Sequence, residues 1–500
     1  MYIFRLKICI SSLRTNLLTF CNDRFIYTMK HLFLLIALGI GSGLTVKAQS
    51  HTRISLPALF SDHVVLQQQD SVPVWGWGEA GSKVCIVGSW SSKDTVSARV
   101  GDDGRWMAKV KTAHYGGPYT LRVFQPKREA EGIMLEDVML GEVWLCSGQS
   151  NMEWTPANGL VDQAQEIGAA DYPQVRFFSL KKVGSKDLQD DCQATWECCS
   201  PDVMRQRSAV AYFFGRQLTK HLKVPVGLIV SAWGGTAAEV WIPKGHVQQT
   251  PEMEKTIASR KCPWWPSEPG TLYNSMIHPL LPYRIAGAIW YQGESNRDYP
   301  QTYCASMKTL ISSWRAGFGQ DFPFYLVQIA PYNYKSASNG PALIREAQEQ
   351  VVREVPHTGM VVTNDVGDYH SIHPTRKQEV GIRLANLALD EVYGKNEKMH
   401  RSPVFESMTV QRNKAVLHFR YAGKGLGCSG KKPEGFQIAG KDRVFVKAEA
   451  RIRENCIEVY ASQVKQPVAV RYCFDDATVG NVVNKSGLPL APFRTDRWER

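Results

Sequence analysis

The spacing of hydrophobic and polar positions changes twice along the chain. From residue 49 to about residue 133, short alternating runs such as Val72–Trp77 and Ser82–Val87 are interrupted by turn residues, among them Asp102-Asp103-Gly104. Alternation with a period of two and frequent turns are typical of antiparallel strands. The pattern therefore predicts an N-terminal β-sandwich over residues 49–133.

Between residues 134 and 396, short and mainly apolar runs alternate with longer helical stretches. Strands that are buried on both faces have no polar face, so these runs indicate a parallel sheet with helices on either side. The clearest helix predictions are residues 203–221 and 376–392. The predicted strands are Glu142–Cys146, Val226–Ser231, Ile285–Tyr291, Phe322–Ile329 and Gly359–Thr363.

Alternation of the β type returns from residue 397 to the end, for example in Ala415–Phe419 and Pro467–Tyr472. This segment is either a third domain or a return of the chain to the first sandwich, and the pattern does not decide between them. The sequence thus predicts an α/β fold. A parallel-sheet domain at 134–396 is flanked by β-sandwich-type regions at 49–133 and 397–500.

The first 48 residues carry a targeting pattern. Met29-Lys30-His31 precedes an apolar run from Leu32 to Ile40, and small residues follow as far as Ala48. A charged start, a short apolar run and a small-residue cleavage site are typical of a secretory signal peptide. We expect residues 29–48 to be a signal peptide and residues 1–28 to be a gene-start artefact. We expect the mature protein to be exported, to the periplasm or outside the cell.

The charge pattern does not indicate a nucleic-acid partner. Residues 1–48 hold six Lys/Arg and one Asp, so their removal lowers the net charge from +12 to +7. No basic run of the kind that follows a phosphate backbone is present, and we expect no nucleic-acid partner. The apolar run after Met29 is too short to span a bilayer, so no membrane span is expected in the mature chain. No Cys/His spacing is typical of zinc, and neither a metal nor an organic cofactor is predicted.

Four predicted strands are followed by polar clusters that contain glycine, amide, hydroxyl or imidazole groups. The carboxyl ends of parallel strands meet at one edge of a sheet, where ligands bind in open α/β folds. We therefore expect the four clusters to lie together. They are Ser147–Met152, Ala232–Thr236, Gln292–Asn296 and Asn364–Pro374.

Acyl transfer would give these clusters a chemical role. A serine hydroxyl is a weak nucleophile until a neighbouring base removes its proton, so Ser150 is the candidate nucleophile and His373 the candidate base. The backbone N–H groups of Ser150 and Gly235 and the side-chain amide of Gln292 could surround the oxyanion. Considered alone, Ser150 could also be a turn or N-cap serine.

Longer blocks around these residues resemble a known family. The segment Leu140–Met152 is similar to the nucleophile block of the sialate O-acetylesterase family, within the SGNH/GDSL-type hydrolases. Other blocks resemble this family in the same order: Leu56–Asp62, Ser231–Thr236, Leu272–Leu280, Trp290–Asn296, Ile372–Gln378 and Gly487–Thr495. The resemblance covers essentially the whole chain after residue 48. It implies a flavodoxin-like catalytic domain flanked by β domains.

The resemblance also implies a reaction, the hydrolysis of O-acetyl esters on sialic acid or on other acetylated sugars. It implies that Ser150 is the nucleophile, His373 the base, and Gly235 with Gln292 the oxyanion hole. SGNH enzymes commonly place the triad acid three residues before the histidine, where this chain has His370. The nearest substitutes are Asp368 and Asp365. Alternatively, a Ser–His dyad acts with a backbone carbonyl on the other ring nitrogen.

The sequence therefore predicts an exported, metal-independent serine esterase that removes O-acetyl groups from sialic acid through an acetyl-enzyme. One alternative is an acetylesterase that acts on a plant polysaccharide such as xylan or pectin. The other is a non-catalytic glycan-binding protein in which Trp264 and Trp265 stack on sugar rings. If neutral His373 is the base, activity should fall on acidification through a pKa near ~6.5.

Overall fold

A computed structural model describes residues 53–498 except 92, 260–263, 336–338 and 396–399. The start artefact predicted for residues 1–28 and the signal peptide predicted for residues 29–48 lie outside the described residues. In the part of the chain that is described, no helix is both long and apolar enough to cross a membrane.

The N-terminal region is built from antiparallel strands. β2 pairs with β5, and β3 pairs with both β4 and β6. Burial alternates strictly along β5, because Trp106, Ala108 and Val110 face the core while the residues between them are exposed. The strands are β1 Val65–Gln67, β2 Ser71–Trp77, β3 Lys83–Gly88, β4 Val96–Arg99, β5 Arg105–Lys111 and β6 Gly116–Phe124.

The next strand, β7 (Ile133–Gly148), belongs to two sheets. Its first half is antiparallel to β6 and parallel to β1, with Val65 opposite Met139. Its second half, from Glu142 onward, is parallel to two strands of the central sheet. The chain therefore passes from the sandwich to the central sheet within one continuous strand.

The central sheet has the strand order β13-β12-β11-β7-β10-β8-β9, and only β9, at the edge, is antiparallel to its neighbour. Every residue of β10 to β13 is buried, as the apolar runs predict. The strands β8 and β9 have no counterpart among the predicted strands, because neither is a continuous apolar run. The bounds are β8 Tyr172–Ser179, β9 Trp196–Cys199, β10 Val226–Ala232, β11 Gly287–Tyr291, β12 Phe324–Val327 and β13 Thr358–Val361.

Helices cover both faces of this sheet. On one face, the helices Ala209–Leu222 and Lys377–Glu391 pack together and share a core with strand residues such as Trp144. The helices Tyr303–Phe318 and Gly340–Glu354 contribute to the core on the other face. The α/β fold class predicted from the sequence is confirmed.

The helix predicted at residues 203–221 is divided in two. Pro201–Arg205 and Ala209–Leu222 are separate helices, because Ser208 caps the second one by accepting the N–H of Ala211 at 3.1 Å. The helix predicted at 376–392 runs from Lys377 to Glu391. The remaining α-helices of the described chain are Ser150–Glu153, Gln163–Gly168, Lys244–Gln248 and Pro251–Ser259.

The C-terminal region forms two antiparallel sheets, β14-β15-β20-β19 and β18-β17-β21-β23, with the pair β16-β22 beside them. Its residues share a core of their own. No described strand of this region pairs with an N-terminal strand, so the chain does not return to the first sandwich. The strands are β14 Val404–Gln411, β15 Lys414–Arg420, β16 Leu426–Cys428, β17 Phe436–Ala439, β18 Val446–Lys447, β19 Glu449–Arg453, β20 Cys456–Tyr460, β21 Ala469–Tyr472, β22 Val482–Asn484 and β23 Phe493–Arg494.

Candidate active site

The four polar clusters come together at the carboxyl edge of the central sheet. Each of them contributes to the wall of one cleft of about 820 Å³. Ser150 follows β7, Gly235 follows β10, Ser295 follows β11, and His373 lies in the loop after β13. Strand direction and sheet order thus place residues far apart in sequence on one surface, as expected for ligand sites in such sheets.

Close contact between β7 and β11 fixes the position of Ser150. Gly148 has φ +135°, and a Cβ atom at this position would lie 2.2 Å from the carbonyl oxygen of Tyr291. Glycine is therefore required where β7 ends. The next N–H, of Gln149, donates to the same carbonyl oxygen at 2.9 Å. Ser150 then begins a short helix at the cleft wall.

Ser150 and His373 are in direct contact. The Nε2 atom of His373 lies 2.8 Å from Oγ of Ser150. The imidazole stacks on Trp154, with ring centres 4.7 Å apart and planes at 24°. Burial lowers the pKa of His373 from its ordinary value of 6.5; the Lys377 ammonium acts in the same direction and the Glu153 carboxylate opposes it. The imidazole is therefore neutral near pH 7 and able to accept the serine proton.

Both aspartates considered as a third member of the triad bind other groups. The two carboxylate oxygens of Asp365 accept from the Arg383 guanidinium at 2.8 and 2.6 Å. Asp368 is exposed and accepts the backbone N–H of His370 at 2.8 Å. Among the described residues, neither carboxylate is hydrogen-bonded to His373. The geometry thus gives neither aspartate a contact that could orient the imidazole.

The loop after β10 offers backbone N–H groups to the cleft. Gly235 has φ +77°, and a Cβ atom there would lie 2.5 Å from the ring of Trp265. The preceding N–H, of Gly234, donates to the Glu153 carboxylate at 2.7 Å, which ties this loop to the helix that begins at Ser150. Within the described chain, the N–H groups of Ser150 and Gly235 have no acceptor.

Gln292 does not lie where the oxyanion role requires. Its side chain is fully buried and forms no part of the cleft wall. Its amide donates to the carbonyl oxygen of Thr236 at 3.2 Å and to Oδ1 of Asn296 at 2.7 Å. These two bonds use both N–H groups of the amide. Gln292 therefore supports the loop of Gly235 from inside the protein, and the expectation that it donates to the oxyanion is corrected.

A group of buried polar residues that was not predicted as part of the site lies behind the Ser150–His373 pair. Asn151 donates to Oε1 of Glu294 at 2.7 Å and accepts from Nζ of Lys377 at 2.5 Å. All three side chains are at least 98% buried. Burial lowers the pKa of Lys377 to about 7, against the attraction of Glu294. Burial also raises the pKa of Glu294 from its ordinary value.

One cluster in the described chain has three possible metal donors, and it lies outside the cleft. His63, Asp137 and Cys198 bring their donor atoms within 4.8 Å of one another. Arg176 already donates to Oδ1 of Asp137 at 2.9 Å, and its guanidinium would repel a cation. None of these residues forms part of the cleft wall.

A parallel α/β sheet that brings a serine against a histidine at its carboxyl edge has the arrangement of an ester hydrolase. The model of the family described as "Carbohydrate esterase, sialic acid-specific acetylesterase" matches residues 140–390. The chain belongs to this family and is a carbohydrate O-acetylesterase, which confirms the resemblance noted in the sequence.

Relatives of known name match over most of their length. Human sialate O-acetylesterase is 30% identical over 392 residues, which is 72% of this chain and 75% of the human protein. The mouse protein of the same name is 30% identical over 420 residues, with 72% and 77% covered. A solved carbohydrate acetylesterase from Xanthomonas citri is 34% identical with a TM-score of 0.81, and the match covers 89% of this chain and 100% of that chain.

Proposed function

We propose that this protein removes O-acetyl groups from sialic acid, with Ser150 as nucleophile and His373 as base. The observation that carries this proposal is the 2.8 Å contact between Oγ of Ser150 and Nε2 of His373. The contact lies in the wall of a cleft wide enough for a sugar. The description of the matched family, sialic acid-specific acetylesterase, supports the choice of sugar.

In the first half of the reaction, His373 removes the proton of Ser150, and Oγ attacks the carbonyl carbon of the acetyl ester. The N–H groups of Ser150 and Gly235 face the oxyanion that forms, since neither has an acceptor in the described protein. The imidazolium then donates its proton to the departing sugar oxygen as the ester bond breaks. The products are a deacetylated sugar and an acetyl group on Ser150.

In the second half, water enters the site and His373 removes its proton. The resulting attack on the acetyl-enzyme forms the same oxyanion, and the imidazolium returns the proton to Oγ of Ser150 as acetate leaves. A Ser–His dyad carries these steps, because both aspartates near His373 are bound elsewhere. No metal or organic cofactor enters the scheme.

Two cations in the cleft wall favour an acidic sugar. Lys182 and Arg297 both line the cleft, and their side chains are 44% and 36% exposed. A sialic acid carries a carboxylate that a guanidinium or ammonium group can bind, whereas an acetylated xylan main chain does not. Each cation has a carboxylate neighbour, Glu153 for Lys182 and Asp298 for Arg297, the latter at 3.7 Å. The Arg297 pair is the looser of the two, so Arg297 is the better candidate for this contact.

A second candidate substrate is an acetylated polysaccharide. A neighbouring cavity of about 690 Å³ shares Lys182 with the cleft, so the two spaces meet at this side chain. The polar residues of its wall include Gln193, Gln206 and Arg207. A polysaccharide would occupy space beyond its acetylated sugar unit, whereas a monosaccharide would not.

Acetate release from O-acetylated sialic acid and from acetyl-xylan tests the proposal. We expect wild-type protein to prefer the sialic acid, Arg297→Leu to lose that preference, and Ser150→Ala to be inactive on both substrates. Activity on xylan alone would show that the polysaccharide reading is correct. Wild-type rates in Ser150→Ala would contradict the serine mechanism and would favour a different nucleophile.

Export is proposed from the signal-peptide pattern at residues 29–48. Full-length protein expressed in a Gram-negative host should appear in the periplasm or medium with a new N-terminus at residue 49. N-terminal sequencing of the mature protein measures this directly. An uncleaved chain retained in the cytoplasm would contradict export.

A further inference from the structure

Asn151 links the Ser150 turn to the loop that carries His373. It follows Ser150 directly, and its Nδ2 atom donates to the carbonyl oxygen of Ile372 at 3.1 Å. Ile372 in turn immediately precedes His373. A single side chain therefore joins the residue after the nucleophile to the residue before the base. This bond sets the spacing of the two backbone segments that carry the reacting groups.

Two charged side chains hold Asn151 in this orientation. Its Nδ2 atom also donates to Oε1 of Glu294 at 2.7 Å, and its Oδ1 atom accepts from Nζ of Lys377 at 2.5 Å. Glu294 and Lys377 come from the loop after β11 and from the first turn of the helix Lys377–Glu391. A carboxylate binds only the amide N–H groups and an ammonium binds only the amide oxygen. The charges therefore fix which way the Asn151 amide faces.

Lys377 reaches the imidazole by a second route. Its Nζ atom lies 5.7 Å from the centre of a Trp154 ring, and Trp154 stacks on His373. The indole is held in turn by a 2.7 Å bond from its Nε1 to the carbonyl oxygen of Gly159. The same Nζ atom is 5.4 Å from the ring of Tyr291. The Lys377 side chain thus lies near two aromatic rings behind the base, and their faces offset part of the cost of burying its charge.

Two opposed charges act on His373. Lys377 disfavours the imidazolium, and Glu153 favours it from the helix that begins at Ser150. Glu153 is paired with Lys182, which weakens its effect on the ring. Glu294 is the carboxylate that acts on Lys377, and its Oε2 atom has no hydrogen-bond partner among the residues that the structure describes. The pKa of Lys377 near 7 leaves it charged in acidic solution, where His373 begins to protonate.

We propose that Lys377 is a positioning residue which, through Asn151, sets the His373 loop against the Ser150 turn and holds the imidazole in its neutral form. This inference rests on the proposed roles of Ser150 and His373. Neither Asn151 nor Lys377 forms part of the cleft wall. Both residues therefore act on the reaction through the base, without touching the substrate.

Two substitutions of Lys377 separate the effect of its charge from the effect of its hydrogen bond to Asn151. Lys377→Met removes both, whereas Lys377→Gln removes the charge and keeps an N–H for Oδ1 of Asn151. We expect the acid limb of kcat/KM to move to higher pH by about 0.5–1 unit in both variants, because a cation that opposed the imidazolium is gone. The high-pH value of kcat should fall further in Lys377→Met. The measurement is kcat and KM for an aryl acetate as a function of pH.

Asn151→Asp tests the role of Asn151 as the link between Lys377 and the His373 loop. The aspartate still accepts from Lys377 but cannot donate to the Ile372 carbonyl or to Glu294. We expect kcat to fall about 10²-fold, the effect of misplacing a catalytic group by about 1 Å. KM should stay close to the wild-type value, because residue 151 does not line the cleft. A loss confined to KM would contradict the positioning role.

Arg471→Met is the matched control for losing a buried cation. Arg471 is 5% exposed and is held by Asp496 in the C-terminal sheets. This variant should unfold at lower urea concentration and keep the wild-type acid limb. If both Lys377 variants behave in the same way, Lys377 has only a structural role and the inference is wrong. If Lys377→Met does not fold, Lys377→Gln and Asn151→Asp decide the question.

Ser150→Ala, measured in the same series, separates this inference from the proposed function. An active Ser150→Ala protein would overturn the serine mechanism itself. An inactive Ser150→Ala protein together with an unmoved acid limb in the Lys377 variants would overturn only the positioning role. A moved acid limb and an inactive Ser150→Ala protein are the results that we expect.

Discussion

Two neighbourhoods adjoin His373, and their charged groups have different partners. The loop at residues 365–370 is partly exposed, and its carboxylates, Asp365 and Asp368, bind a guanidinium and a backbone N–H. The layer behind the base is buried, with Asn151 at 0% and Lys377 at 1% exposure, and its hydrogen bonds reach the base loop itself. Nearness in sequence alone therefore does not identify the groups that support the base. Lys377 and Asp368 are about equally near to His373 in sequence, but only Lys377 is linked to the base loop, through Asn151.

The largest difference between the two neighbourhoods should be a difference in kcat when each of two histidines three residues apart is substituted. We expect His373→Asn to lower kcat by about 10²–10⁴-fold, because the serine loses its base. His370→Asn should remain close to wild type, since His370 is exposed and lies outside the cleft wall. Aryl acetate hydrolysis measures both. A severe loss in His370→Asn would place the exposed loop in the mechanism.

Stability should distinguish the buried layer from the exposed loop as well. Asn151→Leu leaves Glu294 and Lys377 without their amide partner, and we expect the free energy of unfolding to fall by about 3 kcal/mol. Asp368→Asn should change it by less than about 0.5 kcal/mol, because asparagine can still accept the His370 N–H. Urea denaturation of the two variants gives both values. Equal decreases in the free energy of unfolding would contradict the proposed difference in stability between the buried layer and the exposed loop.

The pH profile should reflect the buried side of His373. Burial and Lys377 lower its pKa below 6.5, so the imidazole stays neutral to a lower pH than an exposed histidine would. The value of kcat/KM should therefore fall on acidification with a midpoint below pH 6.5, and the slope should approach roughly tenfold per pH unit. A series of rates with a non-titrating aryl acetate measures this. A flat profile between about pH 5 and 8 would contradict His373 as the base.

The smallest effects should come from the two aspartates. Loss of a triad acid costs about 10⁴-fold in kcat when that acid orients the base. We expect Asp365→Asn and Asp368→Asn to keep kcat within about threefold, since neither carboxylate contacts His373. Asp365→Asn should still lower stability by about 1 kcal/mol, because it weakens a partly buried pair with Arg383. A 10³-fold or larger decrease in kcat in either variant would show that the aspartate is the third member of a catalytic triad.

Fold class was predictable because the period of hydrophobic residues differs between the regions. Runs such as Val226–Ser231 are apolar on both faces, and the corresponding strand is buried at every residue. The strands β8 and β9 could not be found in this way, because polar residues such as Arg176 and Glu197 interrupt their apolar positions. The two-sheet course of β7 was also hidden, since the change of partners takes place within one continuous strand with no turn residue to mark it.

The site was predictable as far as the four clusters and the residues that face the cleft. Gln292 was misplaced because cluster membership does not say whether an amide faces outward or inward. The sequence did contain a signal for Lys377. Its helical spacing from Val380, Leu384 and Ala388 places it with them on the buried face of the helix. A lysine on an apolar face indicates a buried charge with a partner. Its partners, Asn151 and Glu294, could only be identified in three dimensions.

Covalent trapping of the nucleophile tests the central claim most directly. A fluorophosphonate reacts with an activated serine and stays attached, so peptide mapping by mass spectrometry identifies the labelled residue. We predict a single label on Ser150, with slow labelling in His373→Asn and none at this position in Ser150→Ala. Label on another residue, or no label in a fully active protein, would contradict the assignment of Ser150 and His373.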